Sequence, residues 1–276
     1  MDMRIDHVAT AWTDRDEGEA ACRAVGLPTT YGGEHADGTT DMSIVGFPDG
    51  SYLELITNTG EATPSRWPEF IAGDAGPCAW CIETDDIRES LRRSLDAGLR
   101  VAGPDRDGRG RPDGLHVEWE TAILGDTLGH TLPFLIEDRT PRRYRITPDP
   151  ELADGPLLGI SEVVVLTKDA AALAQDFDRA FRLAQPETVD ADGFGATLHR
   201  FPGAAVALAE PEGNRLGGRL GDFGPAPCAV LVETDDLDHA QDAFSLADPV
   251  RWGDDRVAWF DHPRLERRLG VVEYAH

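Results

Sequence analysis

The sequence predicts an α+β fold assembled from four strand–helix–strand–strand modules grouped in two pairs. Three observations carry this reading. Residues 77–87, PCAWCIETDDI, recur 150 positions later as PCAVLVETDDL at 227–237, with seven of eleven positions identical. A fainter echo joins 5–14 (IDHVATAWTD) to 160–169 (ISEVVVLTKD), each a strand pattern running into a helical one. A Pro- and Arg-rich stretch at 139–158 separates the halves and is the best domain boundary in the chain. Self-similarity at a long period means that one structural unit is used more than once. A lone unit would leave a sheet face bare, so the units should close in pairs around a shared interior.

Taken in order, the first module has a strand in 5–14, a helix over 15–25, and strands at 42–48 (MSIVGFP) and 51–57 (SYLELIT). The second opens at Pro77 and continues with a helix near 86–97 and strands at 116–124 and 132–138. The third has a strand in 160–169, a helix over 170–183 striped by Phe177, Phe181 and Leu183, and strands at 195–201 and 204–210. The fourth opens at Pro227, with a helix near 236–246 and strands at 256–262 and 269–275. One more short strand per unit is compatible with the spacing. In both PCA copies a buried strand enters Glu-Thr-Asp-Asp, which places acid at the positive end of the following helix dipole. Residues 100–114 read as a turn-rich loop. The glycine-rich GNRLGGRLGDFG (213–224) lacks phosphate-loop spacing and reads as an inter-module connector. The two module pairs then occupy 1–141 and 157–276.

Composition narrows the function class. The formal net charge is −25 over 276 residues, with 32 Asp against 19 Glu, and Lys168 is the one lysine. An Asp-rich, almost Lys-free chain matches adaptation to a high-salt cytoplasm, where dense carboxylates keep a surface hydrated although the screening length falls to about 3 Å at 1 M salt. Such charge argues against nucleic acid or an anionic membrane as partner. The N-terminus has no signal-peptide apolar core, and no stretch approaches the ~20 apolar residues of a membrane span. The expectation is a cytoplasmic monomer or homodimer acting on a small molecule. Four cysteines do not make a disulfide framework. Cys78 and Cys81 form one C-x-x-C, but the second copy has Cys228 and then Leu231, so zinc-knuckle or redox chemistry is disfavoured.

At the level of motifs the chain resembles the glyoxalase-like branch of the vicinal-oxygen-chelate superfamily. The matching residues are IDHV (5–8), GGEHADGTT (32–40), SYLEL (51–55), GPCAWCIETDDI (76–87), RGRPDGLHVEW (109–119) and LPFLIE (132–137). They cover most of residues 1–138; the second half matches in module outline and in PCAVLVETDDL. The resemblance implies paired βαβββ modules, each pair forming a half-open barrel. In the superfamily's metalloenzymes the first and last strands of the modules hold a divalent ion.

His7 lies on the first strand, where Ile5, Ala9 and Ala11 are expected on its face. Glu54 sits between Leu53 and Leu55, so its side chain points away from theirs. An unpaired carboxylate in a cleft costs several kcal/mol, more than the ~1.5–3 kcal/mol gained by burying a neighbouring leucine. It must meet a cation, meet donors or become protonated. The resemblance places His7 and Glu54 at ligand-type positions; pairing of Glu54 with an arginine of 100–111 is the alternative. Catalytic divalent metals usually keep three protein ligands. The family's further ligand falls here on Cys78 or Ala79, neither a histidine, which leaves Cys78, Glu137, His116, Glu118 and Glu120 as remaining candidates. His116, Glu118 and Glu120 share one strand face, while Leu115, Val117 and Trp119 share the other. Glu162 takes the place of His7 in the second half, and no carboxylate there matches Glu54.

Arg100, Arg106, Arg109 and Arg111 collect in one stretch of a chain short of positive charge, and arginine suits bidentate binding of carboxylate or phosphate. Arg109 and Arg111 are therefore candidate substrate contacts. His35 and His130 are candidate acids or bases near neutral pH. Two functions stay open. One is an enzyme in which a divalent metal on His7 and Glu54 chelates vicinal oxygens of a small, anionic substrate, with Glu54 and His35 catalytic, in lyase- or isomerase-type chemistry. The other is a metal-free binding or sequestration protein of the same fold, its cleft lined by Trp119, Phe134 and Tyr52 with an arginine clamp.

Overall fold

The duplication appears as two eight-stranded sheets. The structure, a computed structural model, describes residues 3–35, 38–60, 67–110, 114–125 and 128–275. The first half runs β1 (Ile5–Ala11), α1 (Arg15–Ala24), β2 (Thr30–Glu34), β3 (Thr40–Gly46), β4 (Tyr52–Asn58), α2 (Pro68–Ala72), β5 (Gly76–Glu83), α3 (Ile87–Asp96), β6 (Val101–Gly110), β7 (His116–Leu124), β8 (Phe134–Asp138) and α4 (Arg142–Arg145). The second runs β9 (Leu157–Leu166), α5 (Ala170–Phe181), β10 (Glu187–Val189), β11 (Ala196–Arg200), β12 (Val206–Pro211), α6 (Asn214–Phe223), β13 (Ala226–Thr234), α7 (Leu237–Ala243), β14 (Val250–Trp252), β15 (Asp255–Trp259) and β16 (Leu269–Glu273).

Strand order is β2-β3-β4-β1-β5-β8-β7-β6 in one sheet and β10-β11-β12-β9-β13-β16-β15-β14 in the other. Each module's first strand pairs parallel with its last, as β1 does with β4, and antiparallel with the first strand of the partner module, as β1 does with β5. These are paired βαβββ modules. The extra strand of each is β2, β6, β10 or β14. Residues 101–110, expected as loop, instead form β6; the Gly/Asp-rich segment gains its ladder from β7, so pairing overrides weak strand propensity.

The repeated Glu-Thr-Asp-Asp turn caps a helix in both copies. Asp86 accepts from the Glu89 amide and Asp236 from the His239 amide, each at 2.9 Å. A carboxylate from the last strand supports the same turn: Glu137 accepts from Ile87 N at 2.9 Å and Glu273 from Leu237 N at 3.2 Å. Glu137 is thus scaffold with a counterpart in the other half, and not the ligand candidate considered above.

The main core joins the two halves. Val8, Trp80 and Ile82 of the first sheet pack with Val163, Phe177 and Val230 of the second, Trp80 lying 6.2 Å from Phe177 between ring centroids. The segment 213–224 is helical and not merely a connector: α6 buries Leu216, and Arg219 donates to the carbonyls of Ala75, Pro77 and Pro227. These contacts offset the ~1 kcal/mol that each interior glycine costs a helix. Among the described residues no helix is long and apolar enough to cross a membrane.

All four cysteines are free and buried. Burial pushes the Cys22 and Cys78 thiols up to about 12 and Cys228 to about 11, and raises Cys81 well above its ordinary value. A raised thiol pKa keeps the unreactive protonated form at pH 8. The native chain should show no thiol reactive toward a disulfide reagent at pH 8, and four after unfolding; a fast-reacting native thiol would contradict this packing.

Candidate metal and substrate site

One β-bulge decides which side chains meet in the first sheet. Ile5 pairs with Ile82 and His7 with Cys81, so Asp6 is the extra residue on β1. The bulge turns Ile5 into the main core, while His7 shares the opposite face with Ala9 and Ala11. The expectation that Ile5 shares the face of His7 therefore fails, because simple alternation breaks at residue 6. Across the parallel pair His7 faces Tyr52 and Ala9 faces Glu54. His7 and Glu54 are thus diagonal neighbours on the same sheet face.

That face walls a cavity of about 340 Å³. His7, His35, Tyr52, Glu54, Arg109, Trp119 and Phe134 all line it, together with Glu34, Thr40, Trp67, Asp107, Thr121 and Arg145. Arg111 lies outside the described residues. His7 stacks on Tyr52 at 4.8 Å and meets the edge of Phe134 at 5.3 Å.

The polar geometry is specific. His7 Nδ1 lies 2.7 Å from Asp6 Oδ1. A carboxylate only accepts, so Nδ1 carries a proton, and in the neutral ring Nε2 holds the lone pair. His7 Nε2 and His35 Nε2 lie 3.9 and 4.0 Å from the same oxygen, Glu54 Oε2. Both distances exceed a hydrogen bond. Glu54 is 6% exposed, and among the described residues its carboxylate accepts no hydrogen bond; the arginine pairing considered above is not made. Arg109 instead donates to the carbonyls of Gly32 and Arg145, tying the edge strands β2 and β6 and the end of α4 together. His35 Nδ1 meets Thr40 Oγ1 at 2.8 Å.

Asp6 is fully buried. Burial alone would raise its carboxyl pKa, but Arg145 and the His7 contact outweigh that and hold it well below the usual carboxylate range. Asp6, His7 and Cys81 present ligand-type atoms within 4.8 Å of one another. Asp6, however, is committed to Arg142 and Arg145, and the Cys81 thiol is protonated. The donor set facing open space is His7, Glu54 and His35.

The other candidates point elsewhere. Cys78 donates to Ala9 O, and His130 contacts Cys78 O at 2.5 Å while stacking on Phe70, with burial lowering its pKa. Glu118 pairs with Arg106, while Arg88 and Arg139 hold Glu120 down at about 2. With exposed His116 they form a charged outer face. Asp6, Arg142 and Arg145 are not among the sequence candidates, since two of them lie in the boundary stretch 139–158; a carboxylate at position 6 of a largely apolar strand is the signal the sequence offers.

The second sheet repeats the bulge at Ser161 and fills the face instead. Glu162, in the place of His7, accepts from Arg200 Nε at 2.8 Å and Trp252 Nε1 at 2.9 Å. Ala207 faces Val164 as Glu54 faces Ala9. Phe194 stacks on Trp259 and Trp252 meets both edge-on, with centroids 5.1–5.7 Å apart.

Comparison with known proteins agrees with this architecture. A family model described as glyoxalase-like domain matches residues 5–181. The chain belongs to the glyoxalase-like domain family. A hypothetical protein from Staphylococcus aureus is similar in structure, with a TM-score of 0.63, 14% identity, and 99% of each chain covered. A mutant 4-hydroxymandelate synthase from Streptomyces coelicolor gives 0.58 at 14% identity, covering 99% of this chain and 93% of that one. An Mn(II)-bound glyoxalase from Novosphingobium aromaticivorans gives 0.56 at 13% identity, covering 98% and 82%. At such identities these likenesses establish the fold alone. Among curated proteins none matches the chain.

Glu54 lines the cavity with no protein donor to its carboxylate among the described residues, while Leu53 and Leu55 beside it are buried in the core. Glu54→Leu should therefore raise the melting temperature of the chain in chelator at pH 8, by about 1–3 kcal/mol or roughly 2–8 °C. A lower melting temperature would show that Glu54 is stably partnered.

Proposed function

We propose that the chain is a glyoxalase-like enzyme that uses a divalent cation, held by His7 and Glu54, to act on a small molecule carrying vicinal oxygens. The carrying observation is the buried Glu54 carboxylate, which lacks a donor among the described residues while two imidazole nitrogens lie about equally far from one of its oxygens. Burying such a charge costs several kcal/mol unless a cation, hydrogen-bond donors or a proton compensates it, and a bound cation also meets the imidazole nitrogen beside it. The donor types, imidazole nitrogen and carboxylate oxygen, suit a first-row divalent ion. When bound, the ion supplies Lewis-acid polarisation of substrate oxygens and stabilises negative charge developing on them.

The chain's own residues divide the remaining work. Asp6 fixes the His7 tautomer that leaves Nε2 as a donor of electrons. His35 differs. Its Nδ1 partner is a hydroxyl, which donates or accepts, so Nε2 can take up or release a proton beside Glu54. His35 is assigned the acid–base role, with Glu54 as its neighbour and as ligand. Ala79 stands opposite Ala9, where a histidine would complete a third ligand, so substrate oxygens would share a more open site. Tyr52, Trp119 and Phe134 wall the cavity against water. Arg109, oriented by two carbonyls, and Arg111 would receive a carboxylate or phosphate on the substrate.

The test is Mn(II) titration of chelator-stripped full-length protein in high salt, followed by the resonance of free Mn(II). Wild type should take up Mn(II), His7→Ala and Glu54→Gln should lose uptake, and Glu162→Gln should keep it. No uptake by wild type, or equal uptake by both site variants, overturns the reading. A chelator-insensitive thermal shift with small ligands would then point to a sequestration protein.

A further inference from the structure

Arg145 belongs to neither sheet, yet its side chain is among the most buried charges in the chain. It closes α4, and its guanidinium enters the wall of the cavity. Nη1 and Nη2 donate to the two oxygens of Asp6 at 2.9 and 2.8 Å. Nε and Nη2 donate to Asp138 at 2.7 and 2.8 Å, and Nη1 also reaches the Tyr52 hydroxyl at 2.8 Å. Arg142 contributes further donors to Asp6 and to Gly50 O. Asp6 is the group bonded to His7 Nδ1, and Tyr52 is the ring stacked on His7.

Asp6 and Tyr52, two of the groups that fix the His7 ring, are therefore held by one guanidinium. Its planar fork matches a carboxylate in two places at once, which a lysine ammonium does not. The charges also close. Arg142 and Arg145 face Asp6, Asp138 and Glu83, and Arg4 adds a third positive charge beside Glu83.

We propose that Arg145 is a positioning residue of the site, which acts through Asp6 and Tyr52 to hold His7 in its Nδ1-protonated tautomer with Nε2 facing the cavity. The use of that lone pair rests on the cation reading above; the positioning is independent of it. Asp138 anchors the far side of the guanidinium, so it belongs to the same device without touching His7.

The test labels the full-length chain with ¹⁵N-histidine and records long-range proton–nitrogen spectra at pH 8 in chelator, with the His7 signals assigned by their loss in His7→Gln. Wild type should show His7 protonated at Nδ1 and bare at Nε2, and Arg145→Met should mix the two tautomers. Should Arg145→Met fail to fold, Asp138→Asn carries the same test, with a smaller shift toward the mixture. Mn(II) affinity gives a second readout: Arg145→Met should weaken it by about 10–100-fold, as loss of a group orienting a ligand does. A wild-type His7 protonated at Nε2, or an unchanged tautomer in the folded variant, overturns the proposal. Absence of Mn(II) binding by wild type overturns the proposed function instead, and leaves the tautomer spectra to decide this one.

Discussion

A carboxylate with no solvent exposure sits at the bulge of β1, and most of the first half is arranged around keeping Asp6 paired. The extra residue at position 6 is what turns His7 toward the cavity. It also leaves a charge in the sheet that water cannot reach, and such a charge persists only when its lone pairs are met by donors. The donors come from Arg142 and Arg145, which lie past the end of the eighth strand. The chain after β8 must therefore fold back on the sheet. In doing so α4 brings Arg145 O to Arg109 and so helps to hold the two edge strands at the mouth.

The second sheet solves the same constraint with a packed aromatic face. Ser161 occupies the bulge, a neutral residue that needs no cation, and bonds to the Tyr274 hydroxyl at 2.9 Å. Glu162 then meets Arg200 and Trp252 directly, and three aromatic rings take up the space. The comparison separates scaffold from site by physics. Helix-capping aspartates and last-strand glutamates recur because every module has a helix N-terminus with unsatisfied amides. Among the most buried of the described carboxylates, Asp6, Glu54 and Glu162, Glu54 is the one that accepts no hydrogen bond from the protein.

Much of this was legible in the residues. The repeat and its apolar runs marked first strands, helices and last strands, since those segments carry strong periodicity. His7 and Glu54 stood out as ionisable residues in apolar strands. The edge strands β2 and β6 did not, because Thr-Tyr-Gly-Gly-Glu and a Gly/Asp-rich decamer have little intrinsic strand preference and are set by their neighbours. The bulge was invisible because alternation was read straight through residue 6. Arg145 was hidden for a different reason. Its partners are remote in sequence, Asp6 by 139 positions, and a Pro/Arg-rich stretch has the composition of a linker whatever its side chains reach.

The proposed function requires one divalent cation between His7 and Glu54, in the first sheet alone. Anomalous diffraction at the manganese edge, from crystals of stripped protein soaked in Mn(II), tests it most directly. The expected result is one strong peak within bonding distance of His7 Nε2 and Glu54 Oε2, and none beside Glu162. A peak at Asp6 and Cys81 with none at Glu54, or an equal peak in the second sheet, would contradict it.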